Sequence, residues 1–249
     1  MKNGLCTAGL LAAGLSSIWL APALLAAQNE APTTAPDREG ALALEYKPPP
    51  RGAPGGRVGG ACRGTVKVTA PLPTIELLAP DANAGLTTTA TPTLYFFVSR
   101  PVYWTTQFTI SAQSVPKPVI EVTIPAPAEA GIYELRTADY NIRLETGVLY
   151  TWSISVILDP KARSHDIVAS ASLLRTTPDP AVENAMRGAP ASWRVPLLAQ
   201  AGLWYDAVAA AAEIEAFDRH FALDTLMKQV GLVEPARYDR ERAQGIGLR

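Results

Sequence analysis

The sequence predicts a mainly β fold, two antiparallel sheets packed face to face and closed by a C-terminal helical cap. Three observations predict it. Between residues 74 and 176, short runs of alternating apolar residues recur, separated by turn residues and with no helical stretch between them. From residue 177 the apolar period becomes that of a helix. The chain of 249 residues is 48% hydrophobic, enough for a sizeable core and too little for a multi-span membrane protein.

The first element is a leader. Lys2 precedes an apolar run from Leu5 to Leu20, Pro22 marks a break, and Ala26 and Ala27 offer small residues for cleavage. A charge, an apolar stretch and a small-residue end are the parts of a secretory signal peptide, expected over residues 1–27. The sequence has no twin-arginine pair, so the general secretory route is expected. The protein is then periplasmic or secreted, with no membrane span after signal cleavage. The alternative is an uncleaved anchor in the inner membrane, since no charge falls between Lys2 and Glu30. Cys6 leaves with the leader and Cys62 remains, so no intramolecular disulfide is expected.

Residues 28–73 read as a flexible arm. Pro48, Pro49, Pro50 and Pro54 interrupt regular structure, and Gly52, Gly55, Gly56, Gly59, Gly60 and Gly64 crowd one stretch. Within it Arg51, Arg57 and Arg63 recur every six residues. In an extended chain that spacing puts them on one side, about 20 Å apart at roughly 3.3 Å per residue. Guanidinium forks suit carboxylate, phosphate or sulfate groups, so these three residues are the candidate contact for an envelope polyanion or an acidic protein partner. A plain soluble linker is the alternative. Gly59-x-x-x-x-Gly64-Thr65 has the spacing of a phosphate loop but lacks the lysine that must follow its second glycine.

The strands follow in order. Thr74–Leu78 is closed by the turn Pro80-Asp81-Ala82-Asn83-Ala84-Gly85, and Thr93–Ser99 is strongly β-prone. Thr106–Ser111 puts Phe108 and Ile110 on one face, and Ile120, Val122 and Ile124 alternate with Glu121 and Thr123. Tyr133 and Leu135 mark the next strand. Over Val148–Leu158, Tyr150, Trp152, Ile154 and Val156 face one way; Ile167, Ala169, Ala171 and Leu173 complete the set.

Leu144-Glu145-Thr146-Gly147-Val148-Leu149-Tyr150-Thr151-Trp152 has the form L-x-x-G-x-x-Y-x-W. It resembles the tyrosine corner of immunoglobulin-like and fibronectin type III sandwiches, in which a tyrosine hydroxyl bonds back to upstream backbone. The expected class is therefore an immunoglobulin-like antiparallel β-sandwich over residues 74–176, with a helical cap over 177–232.

In the cap, Asp179-Pro180 is an N-cap followed by proline at the first helical position. Leu203, Ala207, Ala210, Ile214 and Phe217 predict one amphipathic helix, and Asp224 is expected to cap a second, carrying Leu226, Met227 and Val230 and stopped by Gly231. Leu203, Trp204 and Tyr205 either cover an edge or face of the sandwich or form an exposed partner surface. Residues 233–249, with their charge run, are expected to be a loose solvated tail.

Three stretches carry a family resemblance: Arg51–Gly64, Gly85–Val98 and Ala201–Ile214, the last containing Trp204-Tyr205-Asp206-Ala207. With the Gly147–Trp152 strand between them they resemble the bacterial domain of unknown function 928 family, over roughly residues 51–232. The resemblance implies an exported bacterial protein and supplies no activity and no site residues.

Chemistry-bearing motifs are few. His165 and His220 are the two histidines. Ser164-His165-Asp166 are neighbours in sequence, which does not make a triad, and His220 reads as a satisfied surface residue. The mature chain has no G-x-S-x-G, the whole chain has no H-E-x-x-H, and zinc would need more His or Cys. No cofactor and no metal are expected. The chain carries 22 basic and 23 acidic residues, and losing Lys2 takes the mature charge to −2, so nucleic acid is not an expected partner. The function expected is a non-enzymatic binding or structural module of the cell envelope. The alternative is an envelope hydrolase acting on carbohydrate or ester substrates through carboxylates or a Ser/His pair.

Overall fold

The computed structural model describes residues 43–49, 57–59, 70–113, 115–214 and 216–244. The expected leader, both cysteines, Arg51 and Arg63 lie outside them.

Nine strands among the described residues form two sheets, and the helices follow them in the chain. The four-stranded sheet has the order β1 (Val58–Gly59), β2 (Ile75–Leu77), β4 (Thr93–Val98), β7 (Gly131–Arg136), all antiparallel. The five-stranded sheet has the order β3 (Gly85–Thr87), β9 (Ile167–Arg175), β8 (Leu149–Ile157), β5 (Thr105–Ala112), β6 (Ile120–Ile124). Its pairs are antiparallel except β3, which runs parallel to β9.

The period of two seen in the sequence becomes the inter-sheet core. Leu94, Phe96 and Val98 of β4, Phe108 and Ile110 of β5, Trp152, Ile154 and Val156 of β8 and Ile167, Ala169 and Leu173 of β9 are all buried. Tyr150 is buried, and its hydroxyl accepts a hydrogen bond of 3.0 Å from the Glu145 amide, five residues upstream.

On the other face of β4, Tyr95 and Phe97 turn toward the helices, and the Phe97 ring lies 5.4 Å from that of Tyr238. The helices are α1 (Pro180–Met186), α2 (Ala191–Gln200), α3 (Trp204–Glu213), α4 (Ala216–Gln229) and α5 (Val233–Ala243). The α1 start is as expected, with the Asp179 carboxylate accepting from the Ala181 amide at 2.7 Å. No helix among the described residues is long and apolar enough to cross a membrane.

Several boundaries differ from the sequence expectation. The amphipathic helix ends at Glu213, and Ile214 takes extended backbone angles. Asp224 sits inside α4 rather than capping it, engaged by Lys228 and Arg240. Gly231, at φ 73°, does end that turn of chain. The tail expected to be loose is helical as far as Ala243. Its charges pair one turn apart, Arg237 with Glu234 and Glu241, and its Pro235 and Ala236 are buried.

The arm is also partly built into the body. In residues 43–49 the buried Tyr46 packs edge-on against Trp204 with ring centres 4.9 Å apart. Its amide donates to Gln229 at 2.6 Å, and the Lys47 amide donates to the Ala199 carbonyl at 3.1 Å. Apolar burial and paired amides give this stretch what a free linker lacks.

Candidate functional site

Arg57, expected on an exposed strip, is 8% exposed. Its Nη1 donates to the carbonyls of Ala79 at 3.1 Å and Val230 at 2.6 Å, and its Nη2 to that of Gly231 at 3.0 Å. Glu76 lies 4.0 Å from its Nε. Burial raises the Glu76 carboxyl above the usual range, and Arg57 pulls it back down. The guanidinium fork is spent on joining the β2 turn to the end of α4. An arginine buried this way cannot serve an anion-recognising strip, and Arg51 and Arg63 lie outside the described residues.

Leu203, Trp204 and Tyr205 are likewise buried, at 5%, 0% and 2% exposure. Trp204 donates through Nε1 to the Leu78 carbonyl at 2.8 Å. The Tyr205 ring lies so close over Gly85 that a Cβ there would be 2.4 Å from it. Of the two readings of this triplet, cover for the sheets is the one the packing gives. Asp206, next in the chain, takes hydrogen bonds from the Thr88 amide and hydroxyl, both at 2.8 Å, and from the Thr87 hydroxyl. Two of the three stretches that carry the family resemblance therefore meet, Trp204-Tyr205-Asp206 docking on Gly85–Thr88, while Arg57 of the third bonds to Ala79, Val230 and Gly231.

The residues that can act outward are elsewhere. A groove of about 450 Å³ opens between β7 and helices α3, α4 and α5. Tyr95 and Glu134 are cross-strand partners, as are Phe97 and Ile132, so Ile132 and Glu134 share the helix-facing side of the sheet with Tyr95. These three form part of the groove lining. Arg219 and His220 from α4 and Tyr238, Asp239 and Arg242 from α5 line it as well. Burial, with help from the nearby Glu134 and Glu213 carboxylates, pushes the Tyr95 hydroxyl up to about 12.

Two pairs fix its polar groups. His220 Nδ1 lies 2.8 Å from the Asp239 carboxylate, tying α4 to α5. The Tyr238 hydroxyl donates to the Ala130 carbonyl, tying α5 to the entry of β7. Glu134 is engaged by Arg136. His220 is thus half-buried in the groove rather than an ordinary surface residue. His165 sits in a short 3-10 turn in the β8–β9 loop. Sequence reasoning missed the groove because its walls come from segments about ninety residues apart. The available signal was the Glu/Arg spacing of residues 234–241, which marks a helix. Among the described residues no group of three or more His, Cys, Asp or Glu is placed to hold a metal ion.

The family model described as Domain of Unknown Function (DUF928) matches residues 58–237. No curated protein matches the chain. Among solved structures, the chain is similar to one described as Astrotactin-2, a conserved vertebrate-specific and perforin-like membrane protein involved in neuronal development. The two share 11% identity over 70% of this chain and 34% of that one, with a TM-score of 0.27. This chain spans about a third of that structure's length, and a TM-score so low bears on neither fold nor function.

Proposed function

We infer that this chain, which belongs to the Domain of Unknown Function (DUF928) family, is a non-enzymatic binding module exported to the cell envelope. It uses the groove between β7 and the C-terminal helices to hold its partner. The observation that carries this reading is the groove itself: a half-open hollow of about 450 Å³ where tyrosines and charges of both signs converge on a framework tied down by hydrogen bonds. Such mixed linings suit recognition, with aromatic rings supplying area and charged groups supplying orientation.

The immunoglobulin-like reading of the fold belongs to the same proposal. It is supported by the order β2-β4-β7 opposite β3-β9-β8-β5-β6, by a short strand parallel to the last one, and by the Tyr150 hydroxyl bonded to upstream backbone. Export rests on the leader features of residues 1–27.

One observation favours the hydrolase alternative, the His220–Asp239 pair facing the groove. An orienting carboxylate on histidine is half of a base-activated nucleophile, and among the described residues no serine, threonine or cysteine lines the groove to complete it.

The test is retention of purified protein on native envelope material. Arg219→Glu with Arg242→Glu should abolish retention while leaving the thermal transition in place, and Val168→Glu, on the five-stranded sheet, should leave retention intact. Equal retention of all three proteins would move the binding surface away from the groove. Turnover of envelope esters or glycans that is lost in His220→Asn would favour the hydrolase.

A further inference from the structure

We propose that the free edge of β7 inside this groove accepts an extended acidic peptide as a fifth strand of the four-stranded sheet. The proposal rests on the groove reading above and specifies its ligand.

Among the described residues β7 is the last strand of its sheet and pairs with β4 alone. On the far side of β4, the Leu78 amide donates to the Tyr95 carbonyl at 2.9 Å and the Ser99 amide to the Thr74 carbonyl at 3.0 Å. Odd-numbered residues of β4 thus bond toward β2. In an antiparallel ladder successive residues point their N–H and C=O to opposite sides. Leu94, Phe96 and Val98 therefore bond toward β7, where their partners are Leu135, Tyr133 and Gly131. The Thr137 amide, bonded to the Pro92 carbonyl at 3.2 Å, continues the same alternation. It follows that Ile132 and Glu134 direct their N–H and C=O away from the sheet.

The Ala130 carbonyl points the same way, and the Tyr238 hydroxyl caps it. The corresponding groups of Ile132 and Glu134 have no partner among the described residues, and both residues line the groove. An edge left open in this way is a template for another chain. An edge strand facing a helix across a groove is the geometry by which domains add a peptide as a strand, with main-chain bonds giving affinity and alternate side chains giving specificity. Two residues with both groups free make room for four main-chain hydrogen bonds over the three positions 132–134, about 10 Å of strand at roughly 3.3 Å per residue.

Charge selects the peptide. Glu134 is engaged by Arg136 and Asp239 by His220, so among the described lining residues Glu129 is the remaining carboxylate beside Arg219 and Arg242, the latter also donating to the Tyr238 hydroxyl at 3.4 Å. An acidic side chain on the added strand would face those arginines, and a basic one would be repelled.

The experiment is selection of phage-displayed random linear heptapeptides on the native protein, followed by synthesis of the enriched peptides. They are expected to carry an acidic residue, and to bind at least roughly tenfold more weakly when one alternate set of their amides is N-methylated, with the other set indifferent. Arg219→Gln with Arg242→Gln should weaken them, and Ile132→Pro, which removes one edge N–H, should do the same. Should Ile132→Pro fail to fold, the N-methyl series decides on unaltered protein. Peptides that depend on the arginines but show no two-residue alternation would overturn strand addition and leave the groove reading standing. Enriched peptides indifferent to both arginines and to Ile132 would overturn both, as would a selection that enriches nothing.

Discussion

The indole nitrogen of Trp152 donates to the Tyr205 hydroxyl at 2.8 Å, and that hydroxyl donates to the Ser172 carbonyl at 3.1 Å. Trp152 lies at the centre of β8 and Tyr205 in the first turn of α3, and both are buried. One phenol thus joins the inter-sheet core to the helices, so the helical cap is part of the hydrophobic core rather than a lid upon it. Burial holds the Tyr205 hydroxyl protonated well above the ordinary tyrosine range, which keeps it able to donate.

Removing that hydroxyl leaves the Trp152 N–H and the Ser172 carbonyl without it in a dry site. Tyr205→Phe should lower stability by about 1–3 kcal/mol, seen as a reduced urea midpoint with an unchanged slope. An unaltered midpoint would mean the bond adds nothing to the joint between sheets and helices.

Asp206 makes the second joint. Its carboxylate is met by the Thr87 and Thr88 hydroxyls and the Thr88 amide, where β3 lies beside α3. Asp206→Ala strands those donors and should cost about 1.5–3 kcal/mol. Asp206→Asn should be nearly as damaging, because its amide nitrogen would face donors. Calorimetric unfolding of the two variants checks this, and a mild effect for both would assign the docking to apolar packing alone.

Arg57 makes the third, and its loss should depend on pH. Glu76 has a raised folded-state pKa, so its ionisation weighs against the fold, and the stability associated with its neutral form is lost as pH rises through that folded value. Arg57 is the influence that lowers it. Arg57→Gln should therefore push the Glu76 pKa further up and destabilise the protein by about 3–5 kcal/mol near neutral pH. The deficit should be smaller near pH 3, well below the ordinary glutamate range, where Glu76 is protonated in both states. Denaturant titrations of wild type and variant across that range would show it, and a deficit independent of pH would remove Glu76 from the explanation.

How much of this was legible in the sequence differs element by element. Strands Ile120–Ile124, Leu149–Ile157 and Ile167–Arg175 were legible because one face is core and the other is not, which writes a period of two into the chain. Tyr150 was legible because its hydroxyl bond is local, five residues along the backbone. Strand β3 was not: three residues have no period, and its parallel partner β9 is nearly ninety residues away. Helix α2 was obscured by Pro196 within it. Arg57 was misread because arginine among glycines normally means solvent, and the carbonyls that hold it come from turns at Ala79 and Val230. The groove was illegible for a related reason. It needs β7, α4 and α5 together, and no one segment carries its pattern.

Binding of a partner in the β7 groove is tested most directly by a photo-crosslinking amino acid placed in the native protein inside its own cells. One position is Ile132, in the groove wall; the other is Val168, 47% exposed on the five-stranded sheet. The expected result is a discrete adduct from Ile132 that disappears when Arg219 and Arg242 are changed to Glu, with none from Val168. An adduct from Val168 alone, or equal yields from both positions regardless of the arginines, would contradict it.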